Sequence, residues 1–329
     1  MQQISPKPVL AIDLGGTKII SAVVTSLGGI LSRNYCLTMA ERGPRAVIDT
    51  LISNISGALS KAKLEICDMG GIIVAAAGIL DTIHGVVAVS PNLPGWRNIH
   101  LGEILFKQFG LATFLINDAN AAALGENRFG IGKGIDYLIY LTVSTGIGGG
   151  IIIDGKLYSG ADGCAGELGH MIIEGNGPKC SCGNSGCLEA MASGTAMAKE
   201  VVDRIEKGEV STVTQLVKGR LDKVDAKIVA IAAKEGDDLA CQVIDKIAYY
   251  LGIGFVNLVN IFNPQMIIIG GGVSRMGGML LEPAKRVMKE RAFKLPSRNV
   301  RIVRSRLGYD AGVLGAAAHV FDRQLNGVI

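Results

Sequence analysis

His170, Cys180, Cys182 and Cys187 follow one another as H-x9-C-x-C-x4-C. One imidazole and three thiolates make the four soft donors of a tetrahedral zinc site. Gly183 and Gly186 let so short a loop fold back on an ion. The competing readings are weaker. A disulfide would leave one of the three thiols over, no CxxC redox motif is present, and packing alone does not account for three near-adjacent cysteines between glycines. With four protein donors the metal has no open position, so its role is structural. Binding through one ring nitrogen of His170 fixes the tautomer and turns the other nitrogen toward a ligand.

Three glycine turns form a second group. In DLGGTK, Asp13, Gly15, Gly16, Thr17 and Lys18 place an acid, two glycines, a hydroxyl and a cation in one turn. Glycines let backbone N–H groups approach an anion, and Asp13 could hold Mg²⁺ through water. STGIGGG, with Thr145, Gly146 and Gly148, is a turn of the same kind. Gly270, Gly271 and Gly272 close an apolar strand where a loop could flank a nucleotide base. Each also reads as an ordinary hairpin or loop, because glycine motifs are weak signals alone. There is no GxxxxGK[ST], and none of the turns plainly opens a Rossmann helix.

The acids form a third group. Asn117 and Asp118 end an apolar strand, and Asp118 reads either as the N-cap of the following helix or as a general base at a strand tip. Glu167 and His170 lie three apart in ELGH, and Glu189 follows the cysteines. Carboxylates, an amide and an imidazole converging on one place suit a ligand rich in hydroxyls. Gly78 and Asn92 are further possible contacts, whereas Trp96 reads as a loop anchor.

The elements that must position these groups follow an α/β pattern. Residues 7–31 read as strand, glycine turn, strand, turn, strand; apolar residues at helical spacing predict a helix over 44–63. Residues 70–81 read as one buried strand, and 112–118 as another that runs into a helix. The pattern restarts at 136–160, followed by helices near 190–207, 224–235 and 238–262, strands at 264–274 and 300–307, and a closing helix at 310–325 with Asp310 as N-cap. The repeat of strand–Gly–strand predicts two similar lobes with a ligand cleft between them and a boundary near Asn117.

Composition narrows the class. The 329 residues are 49% hydrophobic and 19% charged, a globular balance, and a net charge of +4 with no basic run argues against nucleic acid. The apolar run 247–262 carries Asn257 and Asn260 and is shorter than the about twenty residues of a membrane span, so a buried helix is expected. The N-terminus lacks signal-peptide features, and seven cysteines, four of them scattered, fit a reducing, cytoplasmic setting.

Taken in order, DLGGTK, PNLPGW, NDANAAALGE, STGIGGG, GELGH, CSCGNSGCLEA and NPQMIIIGGGVS make the chain resemble a ROK-family sugar kinase of the bacterial glucokinase type over nearly its whole length. The resemblance implies an actin-like ATPase (ribonuclease H-like) fold with two lobes and a central cleft. The small N-terminal lobe would be 1–117 plus 311–329, and the large C-terminal lobe, with the zinc loop, 118–310. It implies ATP with Mg²⁺, the phosphates at DLGGTK and STGIGGG and the adenosine near Gly270–Gly272. It implies Asp118 as catalytic base, with sugar contacts from Gly78, Asn92, Asn117, Asp118, Glu167, His170 and Glu189. Structural zinc would sit at His170, Cys180, Cys182 and Cys187. A homodimer is the common assembly, with a tetramer as the alternative, and neither membrane nor nucleic acid is expected as a partner. Glucose is the expected acceptor; N-acetylmannosamine, N-acetylglucosamine, fructose and allose are its rivals. Sugar-sensing repressors of the family carry an added N-terminal helix-turn-helix domain, whereas here the first glycine turn falls within the first twenty residues.

Overall fold

β1 (Val9–Leu14) and β2 (Lys18–Val24) form an antiparallel hairpin around DLGGTK, and β3 (Ile30–Leu37) pairs outside β2. β4 (Ile72–Ala76) runs parallel to β1, and β8 (Thr113–Asn117) parallel to β4, giving the order β3-β2-β1-β4-β8. β1, β2 and β4 are buried almost throughout, as strands covered on both faces must be, which is why they read as continuous apolar runs. α1 (Pro44–Ala62) lays Val47, Leu51, Ile55 and Ala58 into this core. α3 (Asp118–Arg128) packs on α11 (Ala311–Leu325), and α11 on β1. The alanine-rich runs of α3 and α11 allow a very close approach: a Cβ on Gly315 would stand 1.6 Å from the Ala121 carbonyl oxygen.

The expected single strand over 70–81 is two. β4 ends at Ala76, and β5 (Ile79–Asp81) starts a small antiparallel sheet with β6 (Val86–Val89) and β7 (Arg97–Ile99), before α2 (Leu101–Phe109). The break falls at Gly78, whose φ of 111° ends the extended run.

The second sheet repeats the order. β9 (Leu138–Val143), β10 (Ile147–Ile153), β11 (Lys156–Leu157), β12 (Met266–Gly270) and β13 (Arg301–Arg304) lie as β11-β10-β9-β12-β13. Again β9, β12 and β13 are parallel neighbours and β10–β11 is antiparallel. The expected helix over 190–207 is divided at Ser193 into α4 (Leu188–Ala192) and α5 (Gly194–Glu206). α6 (Val213–Leu216), α7 (Ala226–Lys234) and α8 (Asp238–Phe262) follow, then α9 (Gly278–Arg291) and α10 (Lys294–Asn299) after β12. By length and composition α8 could cross a membrane. It is instead the core helix expected from its asparagines: Ile244, Ile247, Leu251, Phe255 and Leu258 are buried, and α4, α5, α7 and α9 pack on it.

The computed structural model describes residues 6–325, and the chain divides into two compact units. The first comprises residues up to Ile135, Gly150–Gly166 and those from Arg306 onward; the second comprises Asp136–Gly149 and Glu167–Ser305. The residues of α3 thus group with the first unit, because α3 packs on α11 and on β8. Asp310, the expected N-cap of α11, directly precedes Ala311 as the last residue of a 3-10 turn, and its carboxylate pairs with Arg33.

Candidate active site

In the first unit the DLGGTK turn closes with the Gly15 N–H donating to the Lys18 carbonyl at 3.0 Å. Thr38 braces it from β3's end: its N–H donates to the Thr17 carbonyl and its hydroxyl to the Gly15 carbonyl. The N–H groups of Gly16 and Thr17 meet no acceptor among the described residues. Carbonyls tied back and N–H groups left over make a nest for an anion. Gly16 is also where the loop bearing Asn92 approaches; a Cβ would stand 2.5 Å from the Asn92 carbonyl oxygen. That loop is anchored by Leu93 and Trp96, both about fully buried, and leaves Asn92 itself exposed. The Lys18 ammonium rests over the Tyr309 ring, 4.3 Å from its centroid.

Asp13 and Asp118 complete this group. The backbone shows which residue caps α3. Asn117 is extended (φ −64°, ψ 141°) and caps α3, its Oδ1 accepting the Ala119 and Asn120 N–H groups at 2.9 and 3.2 Å. Asp118 is the first helical residue; its Oδ1 accepts the Ala119 N–H at 2.8 Å, and Oδ2 has no partner among the described residues. Burial lifts the Asp118 carboxyl above its ordinary value, against the opposing pull of the backbone N–H groups. Burial, then the Asp118 charge, lifts Asp13 from 3.8 to about 6, with Lys18 pulling it down. Each keeps part of its surface accessible while lying deep among protein atoms. Gly78, at the β4–β5 break, and Asn117, at the end of β8, also belong to this unit.

The second unit carries the matching turn. The Ser144 N–H donates to the Gly146 carbonyl, and the N–H groups of Gly194 and Thr195, opening α5, tie back the carbonyls of Ser144 and Thr145. The N–H groups of Thr145 and Gly146 have no acceptor among the described residues. Gly148 lies in β10. The parallel register sets Gly270 opposite Thr142, and Gly271 lies so near Val143 that a Cβ would stand 2.3 Å from its carbonyl oxygen, so Gly270–Gly272 flank this turn.

The cysteine loop is built by backbone bonds. The Cys180 N–H donates to Asn184, the Gly183 N–H to Cys180 and the Gly186 N–H to Pro178. Gly183 and Gly186 take φ values of 95° and 71°, the fold-back expected of them. His170 Nδ1 lies 3.6 Å from Cys180 Sγ, and the Cys182 and Cys187 sulfurs are 3.6 Å apart; the four donor atoms lie within 4.8 Å of one another. A tetrahedron with Zn–S bonds of about 2.3 Å sets its sulfurs about 3.8 Å apart, so the donor set fits zinc. Burial and then the neighbouring thiols push Cys187 up to about 12, an unfavourable crowding that a central cation would relieve. All seven cysteines are free thiols. The other His170 nitrogen, Nε2, stands 3.8 Å from Glu167 Oε2. Glu189 does not simply face outward: its Oε2 accepts the Ile147 N–H at 2.9 Å.

Two residues lay outside the sequence reading. Thr38 has no motif around it. Glu126, fully buried, accepts the N–H groups of Ile131, Arg306 and Leu307 at 2.8–3.0 Å and so pins two chain segments beside points where the units exchange chain. Its place at the end of NDANAAALGE was the available signal.

Known proteins with this arrangement are numerous. The sequence model of the ROK family matches residues 9–323. A glucokinase of Thermotoga maritima is 38% identical over 96% of this chain and 98% of its own length. A xylose repressor of Caldicellulosiruptor bescii is 36% identical over 97% of this chain and 79% of its own. Among solved structures, a ROK-family glucokinase from Streptomyces griseus in complex with glucose and AMPPNP superposes with a TM-score of 0.83, at 34% identity over 96% of this chain and 99% of that one. A ROK hexokinase from Thermus thermophilus gives 0.81 at 34% identity over 97% and 100%. Matched from β1 to α11 in sequence and in fold, the chain belongs to the ROK family.

Proposed function

We propose that this protein is an ATP-dependent hexose kinase that converts glucose and ATP to glucose 6-phosphate and ADP. The observation that carries the reading is the division of labour at the start of α3. Asn117 does the capping, so the Asp118 carboxylate keeps one oxygen unengaged, and burial raises its basicity. A general base works best with its pKa brought toward the operating pH. Asp118 takes the proton of the sugar's primary hydroxyl as that oxygen attacks the γ-phosphorus in line; the bond to the β,γ-bridging oxygen breaks and ADP leaves.

Phosphoryl transfer asks mainly for positioning and charge stabilisation. The unpaired N–H pairs, Gly16–Thr17 and Thr145–Gly146, are suited to phosphate oxygens, Lys18 adds a positive charge, and Gly270–Gly272 flank the adenosine. Gly78, Asn92, Asn117, Glu167, His170 and Glu189 hold the sugar hydroxyls; the Nδ2 of Asn117 is available, since its Oδ1 serves the cap. Asp13 would hold Mg²⁺, which when bound would neutralise phosphate charge. His170, Cys180, Cys182 and Cys187 would hold a zinc ion whose role is structural. The cytoplasm, where thiols stay reduced, suits seven free cysteines. A homodimer is the assembly we propose.

The repressor relatives support a second reading, a sugar sensor without turnover. An ADP-release assay with ATP against glucose, mannose, fructose, allose and the N-acetylhexosamines separates the two. Turnover greatest with glucose is expected; turnover with no sugar, alongside retained sugar binding, overturns the kinase reading.

A further inference from the structure

Glu189 reaches in two directions within the second unit. Oε2 accepts the Ile147 N–H at 2.9 Å, and Gly146 lies so close that a Cβ there would stand 2.3 Å from the same oxygen. Oε1 accepts the Ser181 hydroxyl at 3.3 Å and lies 3.8 Å from Cys180 Sγ. The side chain therefore spans from the cysteine loop to the 144–149 turn. A carboxylate beside a turn suited to anions is electrostatically costly unless it serves the turn's shape. Here it consumes the N–H that follows Gly146, anchoring one end of the turn, while Gly194 and Thr195 anchor the other through the carbonyls of Ser144 and Thr145. The N–H groups of Thr145 and Gly146, between the two anchors, are the ones left over.

We propose that Glu189 is a positioning residue for the nucleotide: its carboxylate holds the Thr145–Gly146 N–H pair in place for the phosphates, and this task is separate from any contact with sugar. The proposal rests on the kinase reading for the identity of the anion. It also ties the order of the cysteine loop to nucleotide affinity, because Ser181 steadies the same carboxylate.

The test is binding of AMPPNP, an ATP analogue that is not turned over, by calorimetry with no sugar present, together with hydrogen exchange at the Ile147 amide. Losing a charge-assisted hydrogen bond is worth about tenfold or more in affinity. Glu189→Ala should weaken sugar-free AMPPNP binding about tenfold and speed Ile147 exchange. Glu189→Asp, too short to reach, should behave alike. Glu189→Gln keeps an acceptor oxygen and should restore both readouts to within about threefold. This pattern stands even if the alanine variant is too unstable to measure, because Glu189→Asp keeps the charge and loses the reach whereas Glu189→Gln keeps the reach and loses the charge. Wild-type binding that is unchanged in Glu189→Asp overturns the inference and leaves the kinase reading intact. A wild-type chain that binds no AMPPNP removes both.

Discussion

The two five-stranded sheets share one strand order and one device, a glycine turn with its carbonyls tied back and two N–H groups left over. They differ in what surrounds the turn. Around the first lie two buried acids, Asp13 and Asp118, and the brace is a neutral threonine, Thr38. Around the second the strand position matching Asp13 is Thr142, the brace is a carboxylate, Glu189, and the nearby chemistry is a cluster of soft donors. On the proposed reading the same frame serves two purposes. Carboxylates raised by burial suit proton transfer and metal-nucleotide handling, whereas thiolates able to close around an ion suit holding a loop still.

That contrast can be broken most sharply at Asp118. Asp118→Asn should lower kcat by about 10³-fold or more while glucose binding by calorimetry changes little, since general-base catalysis is typically worth 10²–10⁴ and the shape is kept. Turnover within tenfold of wild type would remove the base role proposed for Asp118. Next in size is the soft-donor cluster. Purified wild type should carry about one zinc per chain by elemental analysis, and Cys187→Ser close to none, with a lower melting temperature. Asp118→Asn should retain its zinc, and that difference sharpens the division between the sheets.

Asp13 tests the cost of burying an acid beside the first turn. Its folded pKa, about 6, lies above its unfolded 3.8, so the folded state binds the extra proton between those values. Its contribution to stability is therefore lost as pH rises from about 4 through 6. Asp13→Asn should exceed wild type in denaturant-measured stability by about 3 kcal/mol at pH 7 and be nearly equal to it at pH 4. Equal stability at both pH values would remove the claim. The smallest effect is expected at Tyr309. Replacing it with leucine removes a cation–π contact worth about 0.5–1 kcal/mol and should shift the KM for ATP by about two- to fivefold without changing zinc content.

Much of the frame was legible. β-branched runs on either side of glycine pairs mark the hairpins, and helical spacing marks α1 to within a residue. The break between β4 and β5 was not, because an apolar run continues through Ala77 and Gly78 and only the φ of Gly78 divides it. The small sheet over 79–99 went unread for the related reason that its strands are three or four residues long, too short for a period to show.

The sequence by itself determined the cast: the four soft donors and their order, the glycines that permit two anion nests, and the acids at strand ends. These depend on residue type and short spacing, which are local. Tertiary structure decided their tasks. Asn117, not Asp118, caps α3, because the chain leaves β8 with an extended Asn117. Glu189 serves the second turn because α4 brings it against Ile147, and Glu126 serves a distant segment because α3 is buried beside residues 306–307. Each of these is a hydrogen bond whose partner is set by packing of remote segments or by one backbone angle, and residue spacing along the chain specifies neither.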